Sequence, residues 1–122
     1  MIRNARIDST WLGREDHGIF TFSLGLDFGD FHQGYGQYAL DGPAEPRGGA
    51  RVGTAFGCAA IMGVLDVLQV PKWEALVGTP VRVRYEDHAP QAIGHFIENR
   101  WLDLKALGDV HREPVDDAEV GR

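Results

Sequence analysis

The apolar positions of this chain change period along its length, and the changes mark its elements. Phe20, Phe22, Leu24, Leu26 and Phe28 alternate with Ile19, Thr21, Ser23, Gly25 and Asp27. Period two over residues 19–28 predicts a strand with one face packed and the other open or differently covered. A weaker alternation over 2–12 predicts a first strand, with Ala5, Ile7, Ser9 and Trp11 on one face and Arg6, Asp8 and Thr10 on the other. Between the two, Gly13-Arg14-Glu15-Asp16-His17-Gly18 is polar and bracketed by glycine, which reads as a hairpin loop. From Ala55 to Val70 the alternation gives way to an apolar run whose only charge is Asp66. Such a run predicts a buried helix, with Thr54 as its N-cap. The small residues Gly57, Ala59, Ala60 and Gly63 suit close approach to a sheet or a second helix. Phe56, Ile61, Met62, Val64, Leu65 and Leu68 are expected to fill the core, and the helix is the natural cover for the aromatic face of 19–28.

Shorter signals complete the pattern. Gly29 to Tyr38 is rich in glycine and aromatics. It reads either as a loop that brings backbone and an aromatic face to a ligand or as a strand edge or bulge with packed aromatics. Tyr38-Ala39-Leu40 predicts a short third strand. Asp41 to Ala50, with Pro43, Pro46, Gly48 and Gly49, predicts a loop. Pro71 suits the start of a short helix that Gly78 terminates. Val81, Val83 and Tyr85 face inward on the next strand, which turns Arg82 and Arg84 outward. After a turn, Ile93, His95 and Ile97 share one face of a returning strand. Asn99-Arg100-Trp101-Leu102 closes the domain, with one helical turn to Leu107. The class expected is α+β: an antiparallel sheet of about five to six strands packed by one long and one short helix, in a single domain over residues 1–108.

Composition narrows the function. A chain of 122 residues makes one domain with a real core. Five acids against two bases give residues 109–122 a charge of −3, leaving −3 of the net −6 for the body. That tail is expected to be disordered. A mildly acidic body argues against duplex DNA and anionic membrane as partners, but not against a small anion in a local basic pocket. The single cysteine, Cys58, excludes an intrachain disulfide. Inside the apolar helix it is expected to be an inert packing residue. No apolar stretch reaches the roughly 18–20 residues of a membrane span, and the first residues lack a signal-peptide apolar region, so a cytoplasmic protein is expected.

Catalytic and metal chemistry find little support in the residues. The five histidines, His17, His32, His88, His95 and His111, form no ligand-spaced cluster. His95 reads as a hydrogen-bonded structural residue. There is no Gly-x-Ser-x-Gly elbow, and Glu15 and Asp16 read as solvated loop carboxylates. No catalytic residue, metal ligand or cofactor is therefore assigned. Anion binding is the positive signal. A helix beginning at Thr54 offers free N–H groups and a positive dipole end. Arg82 and Arg84 stand at i, i+2 on one strand face, although exposed strand arginines are commonly no more than a solvated face. The Gly34-Tyr35-Gly36-Gln37 stretch adds backbone and an aromatic ring. Gly53 to Gly57 is not a Walker motif, since it lacks Gly-Lys-[Ser/Thr].

A wider set of residues resembles a known family. Ile2-x-Asn4-Ala5-x-Ile7-x-Ser9-Thr10-x-Leu12-Gly13, Glu15-Asp16-His17-Gly18-Ile19, Gly34-Tyr35-Gly36-x-Tyr38-x-Leu40-Asp41, Gly53-Thr54-Ala55-Phe56-Gly57, Ile93-Gly94-His95 and Trp101 are similar to the pattern of the Thoeris anti-defense protein 1 family of small phage proteins. The resemblance spans about residues 2–104. It implies a phage sponge that sequesters cyclic ADP-ribose isomers without degrading them, so that the Thoeris effector stays inactive in the infected bacterial cytoplasm. It also implies an antiparallel sheet decorated with helices, assembly into dimers or hexamers, and ligand pockets at subunit interfaces. Separate sites for cyclic di- or trinucleotides of a second defence system, CBASS, are a further implication. For such a ligand the expected contacts are Arg82 and Arg84 for phosphate, Phe56 or Tyr35 for stacking, Gly53 and Thr54 for backbone contacts, and Arg100 beside Trp101 as a second-subunit contributor. Two other classes stay open: a phage protein that binds a host protein, and a small nucleotide-processing enzyme.

Overall fold

The structure, a computed structural model, describes residues 1–45 and 48–111. The clearest alternation in the sequence becomes β2 (Phe20–Asp27), which pairs antiparallel with β1 (Ile2–Arg14). At 13 residues, β1 is long enough to take two partners in succession. Its later part pairs with β2 from Arg6↔Asp27 to Arg14↔Phe20, and its first residues pair with β6 (Pro80–Glu86) from Ile2↔Arg84 to Arg6↔Pro80. With β3 (His32–Gly36), β7 (Ala89–His95) and β8 (Trp101–Leu102), the result is a six-stranded antiparallel sheet in the order β3-β2-β1-β6-β7-β8. The chain is thus α+β, as expected.

One expected face is corrected by the register. β1 bulges between Ile7 and Ser9. The extra residue moves all that follows to the opposite face. Ala5 and Ile7 are buried, whereas Ser9 and Trp11 pair with Gly25 and Ser23 and face outward. Thr10 and Leu12 oppose the buried Leu24 and Phe22 instead.

The sheet is strongly curled. Three strands lie between β3 and β7 in the sheet order, which in a flat sheet would hold them roughly 19 Å apart. Instead Gln33 Nε2 donates to the His88 carbonyl at 2.9 Å, and the Tyr85 hydroxyl donates to Gln33 Oε1 at 2.8 Å. The Tyr35 hydroxyl accepts from the Leu104 amide at 3.0 Å and lies 3.3 and 3.4 Å from the Gln91 and Leu102 carbonyls. Side chains of β3, rather than a backbone ladder, therefore close this seam. The concave face carries Ile7, Phe22, Leu24, Leu26, Val81, Val83 and Ile93 into one core with Leu40, Leu76, Leu102 and Leu104.

The helix α1 (Ala55–Leu68) starts where the sequence places it. Thr54 Oγ1 accepts the Gly57 amide at 2.9 Å. Gly57, Ala60, Val64 and Leu68, at helical spacing, are buried and join the sheet's core. The opposite face is not buried: Cys58 is exposed and Met62 is 55% exposed. A helix on the concave face of a one-layer sheet has one packed side whatever its composition, which corrects the core role of Met62 and the buried role of Cys58. The helix runs nearest β7 and β8. The aromatic face of β2 is covered jointly with Trp73, whose ring meets Phe22 edge-on at 5.2 Å. Trp73 lies in the expected short helix, a single 3₁₀ turn over Trp73–Ala75.

Two further readings change. Tyr38 to Leu40 is not a strand, and 41–50 is not a loop. Gly36 and Gln37 take positive φ and turn the chain out of β3. The chain then forms a separate two-stranded ribbon, β4 (Asp41–Glu45) and β5 (Gly48–Gly53). Both its strands are edges, so Pro43 costs no ladder bond in a central strand. Pro46 and Arg47 lie outside the described residues. At the other end, helix continues over 104–111, past the expected stop at Leu107 and through the first three residues assigned to the tail. Residues 112–122 lie outside the described residues.

The start of α1 rests on a close backbone crossing. A Cβ on Gly57 would stand 2.0 Å from the Leu40 carbonyl oxygen and 2.7 Å from its carbon. Backbone on both sides leaves no flexible group to yield. Gly57→Ala is expected to destabilise the fold by about 1–3 kcal/mol, the cost of overpacking, although alanine favours an isolated helix by about 1 kcal/mol. Urea denaturation checks this; an unchanged or raised midpoint would contradict it.

Candidate functional site

Three segments distant in sequence meet at the N-terminal end of α1. The Leu40 carbonyl accepts from both the amide and the hydroxyl of Thr54, at 3.2 and 3.0 Å. This ties the chain leaving β3 to the first turn of α1. The 104–111 helix lies alongside, and the Phe56 ring comes within 3.6 Å of where a Gly108 Cβ would stand. Together they enclose a cavity of about 610 Å³ lined by Tyr38, Thr54, Ala55, Phe56, Lys105 and His111.

Its walls are aromatic, and its donors are helix N–H groups and the Lys105 ammonium. Phe56 stands between Tyr38, at 6.2 Å and 59°, and His111, at 6.2 Å and 72°. His111 Nδ1 lies 2.9 Å from the Leu107 carbonyl. As donor in that contact, it leaves Nε2 as the ring nitrogen available to another partner. The first N–H groups of α1 lack partners inside the helix. No acidic residue stands in its first turn to offset the positive dipole end. Lys105 adds a full charge at the rim.

Asp41 also lines this cavity, but its carboxylate is spent. The side chain is 3% exposed. Arg51 grips it through Nε at 3.1 Å and Nη2 at 2.8 Å, and the Phe20 amide donates to it at 3.1 Å. Arg51, seconded by the Phe20 amide and outweighing burial, holds the Asp41 carboxyl below its ordinary range. This pair joins the ribbon, the start of β2 and the approach to α1.

The residues expected to bind ligand divide sharply. Thr54 and Phe56 line the cavity, Thr54 as the structural cap and Phe56 as a wall. Gly53 adjoins it as the last residue of β5. Tyr35 is corrected: its ring is in the core, its hydroxyl is engaged across the seam, and burial pushes its phenol upward. It has no face to offer a ligand. Arg82 and Arg84 do share an outward face, alternating with the buried Val81 and Val83, but the cavity lies elsewhere. Arg82 donates to the His95 and Glu98 carbonyls at 2.8 and 2.7 Å and lies 5.1 Å from the Trp101 ring. Arg84 pairs with Asp103 at 2.7 Å. Burial alone would raise the Asp103 carboxyl, but the Ala106 amide and Arg84 outweigh it and hold it low. Arg100 pairs with Glu98 at 2.9 Å. The strand arginines Arg82 and Arg84 brace the β7–β8 connection and Asp103, and they lie away from the cavity.

Lys105, His111 and Tyr38 were not legible as site residues. Lys105 and His111 reach the cavity only because the final helix folds back beside α1. The helical i, i+3 spacing of Leu104 and Leu107 is the one signal in the sequence for that helix. His95 is structural, as read: its Nδ1 accepts the Ile97 and Glu98 amides at 3.1 and 2.9 Å. No group of histidine, cysteine and acidic side chains among the described residues is placed to hold a metal ion. No helix is long and apolar enough to cross a membrane among the described residues. Protein-family models, characterised proteins and solved structures yield no match to this chain.

The Asp41–Arg51 pair predicts an acid-sensitive junction. A carboxyl depressed in the native state contributes stability above its unfolded value of 3.8, and that stability is lost as pH falls through the lower native value. Urea midpoints measured at pH 7, 4 and 3 are expected to fall less steeply below about pH 4 in Asp41→Asn than in the parent, because the substituted amide does not titrate. Parallel slopes would contradict this role.

Proposed function

We propose that this protein is a sponge for a small anionic nucleotide of the cyclic ADP-ribose class, held intact in the cavity at the start of α1. The observation that carries the reading is the convergence there of unpaired helix N–H groups, the Lys105 ammonium and the Phe56–Tyr38 aromatic wall. Helix N-termini and ammonium groups suit phosphate, and aromatic faces suit adenine. A volume of about 610 Å³ falls within the range of small-molecule sites, about 300–1,000 Å³. The resemblance to the Thoeris anti-defense family supplies the ligand class and the biological setting: a phage protein in the cytoplasm of an infected bacterium, binding without turnover, assembled as a dimer or hexamer. Sequestration requires affinity, not a catalytic set, and the reading assigns no nucleophile, general base or cofactor.

On this reading phosphate is bound by the α1 terminus and Lys105, and not by Arg82 and Arg84, whose guanidinium groups brace the β7–β8 connection and Asp103. Titration calorimetry with cyclic ADP-ribose isomers is expected to show tight binding, and heat-released ligand is expected to be chromatographically unchanged. Lys105→Ala should cost about 1.5–3 kcal/mol of binding, the range for a charged hydrogen bond. Arg82→Ala should leave affinity within about twofold, since it removes no group facing the cavity. Altered ligand would identify an enzyme. No binding across the isomers would overturn the sponge reading and favour a host-protein partner. A loss confined to Arg82→Ala would move the site to the outer sheet face.

A further inference from the structure

A second cavity, of about 780 Å³, lies on the outer face of the β1–β2 hairpin, and we propose that it binds a neutral saccharide, with a pyranose ring seated on Trp11. The bulge in β1 turns Trp11 outward, directly opposite Ser23 of β2. Its indole leans along the strand over Gly13, with Cζ2 and Cη2 3.5 and 3.6 Å from where a Gly13 Cβ would stand. One side of the ring is thereby supported by the strand. Trp11 remains 46% exposed and lines the cavity.

The polar groups around the indole sort into spent and available. Thr21 donates to the Tyr38 carbonyl at 2.7 Å, Arg14 donates to the Gly18 carbonyl at 3.0 Å and approaches Asp41 at 3.5 Å, and Glu15 accepts the turn amides of His17 and Ile19 while its other oxygen lies 3.3 Å from His17 Nδ1. Ser23, Gln37 and Asp16 also line the cavity, and their side chains make no hydrogen bond or ion pair among the described residues. The backbone of Gln37 is fixed: it is left-handed, at φ 68°, and its backbone N–H donates to the Phe22 carbonyl at 2.6 Å.

What remains is a hydroxyl, a carboxamide and a carboxylate around one aromatic platform. That set matches a ring of hydroxyl groups. Carboxylate and amide oxygens accept from hydroxyls, and the amide N–H₂ donates to them. The negative face of the indole attracts the polarised axial C–H groups of a pyranose. Charges of both signs line the cavity, Glu15 and Asp16 against Arg14, and Glu15 and Arg14 are already engaged, so the lining favours neither an anion nor a cation. The inference does not rest on the nucleotide reading.

The test titrates the full chain with methyl glycosides of glucose, galactose, mannose and N-acetylglucosamine and with their disaccharides, followed by tryptophan fluorescence and calorimetry. Saturable binding of at least one sugar is expected. Trp11→Ala should weaken it about tenfold or more, while Trp11→Phe, which keeps an aromatic face, should stay within about threefold. Gln37→Gly, which accepts the left-handed backbone and removes the amide, should weaken it about fivefold and serves if Trp11→Ala fails to fold. No saturable binding by any sugar would overturn the proposal. So would binding that Trp11→Ala, or Gln37→Gly in its place, leaves unchanged.

Discussion

The carbonyl of Leu40 accepts two hydrogen bonds from Thr54 and lies where a side chain on residue 57 would stand. Much of the molecule follows from that crossing. It fixes where α1 begins, and so which face of the helix meets the sheet. It holds Tyr38 beside Phe56 and leaves the first turn of α1 open to a cavity instead of covered by chain. The Asp41–Arg51 pair, one residue on, anchors the ribbon to the same point and neutralises the one carboxylate among the described residues that lines the cavity and would otherwise oppose an anion there.

The curled sheet sets the second condition. With β3 drawn toward β7 by Tyr35 and Gln33, the concave side becomes a core, and Arg82 and Arg84 stand on the opposite face of β6 from the buried Val81 and Val83. Arg82 and Arg84 are thereby committed to the β7–β8 connection. The same curl brings the chain after β8 back beside α1, which is how Lys105 and His111 arrive at a cavity that Thr54 begins. The strip Tyr38-Ala39 then separates two cavities of different chemistry, with Ala39 lining both. One offers a lysine ammonium and helix N–H groups; the other offers an indole with neutral and acidic acceptors.

The local rules in the sequence were legible where they acted alone. Alternation in β2, the Thr54 cap and the inward Val81 and Val83 all follow from residue type and spacing. The errors lie where a tertiary constraint overrode the pattern. A single bulged residue reversed the faces of β1 beyond Ile7. A proline- and glycine-rich stretch became a ribbon because Arg51 and Asp41 pair across it. The glycines around Tyr35 fit an open loop as well as a strand edge with packed aromatics; the strand forms, the ring is buried, and the Tyr35 hydroxyl supplies the seam that closes the sheet. For the site, Phe56 and Thr54 were accessible through the helix start alone. Lys105 and His111 were not, since their placement depends on the path of the whole sheet between.

The central claim is that an anionic nucleotide is held at the start of α1. Amide chemical-shift mapping with a cyclic ADP-ribose isomer tests it most directly, because the backbone N–H groups are themselves the proposed contacts. The account predicts that the largest shifts fall on Ala55 and Phe56, whose amides are free among the described residues, whereas the Gly57 amide is held by Thr54, with a second group on Lys105 and Gly108. Shifts centred on Arg82, Arg84 and Trp101, or none at saturating ligand, would contradict it.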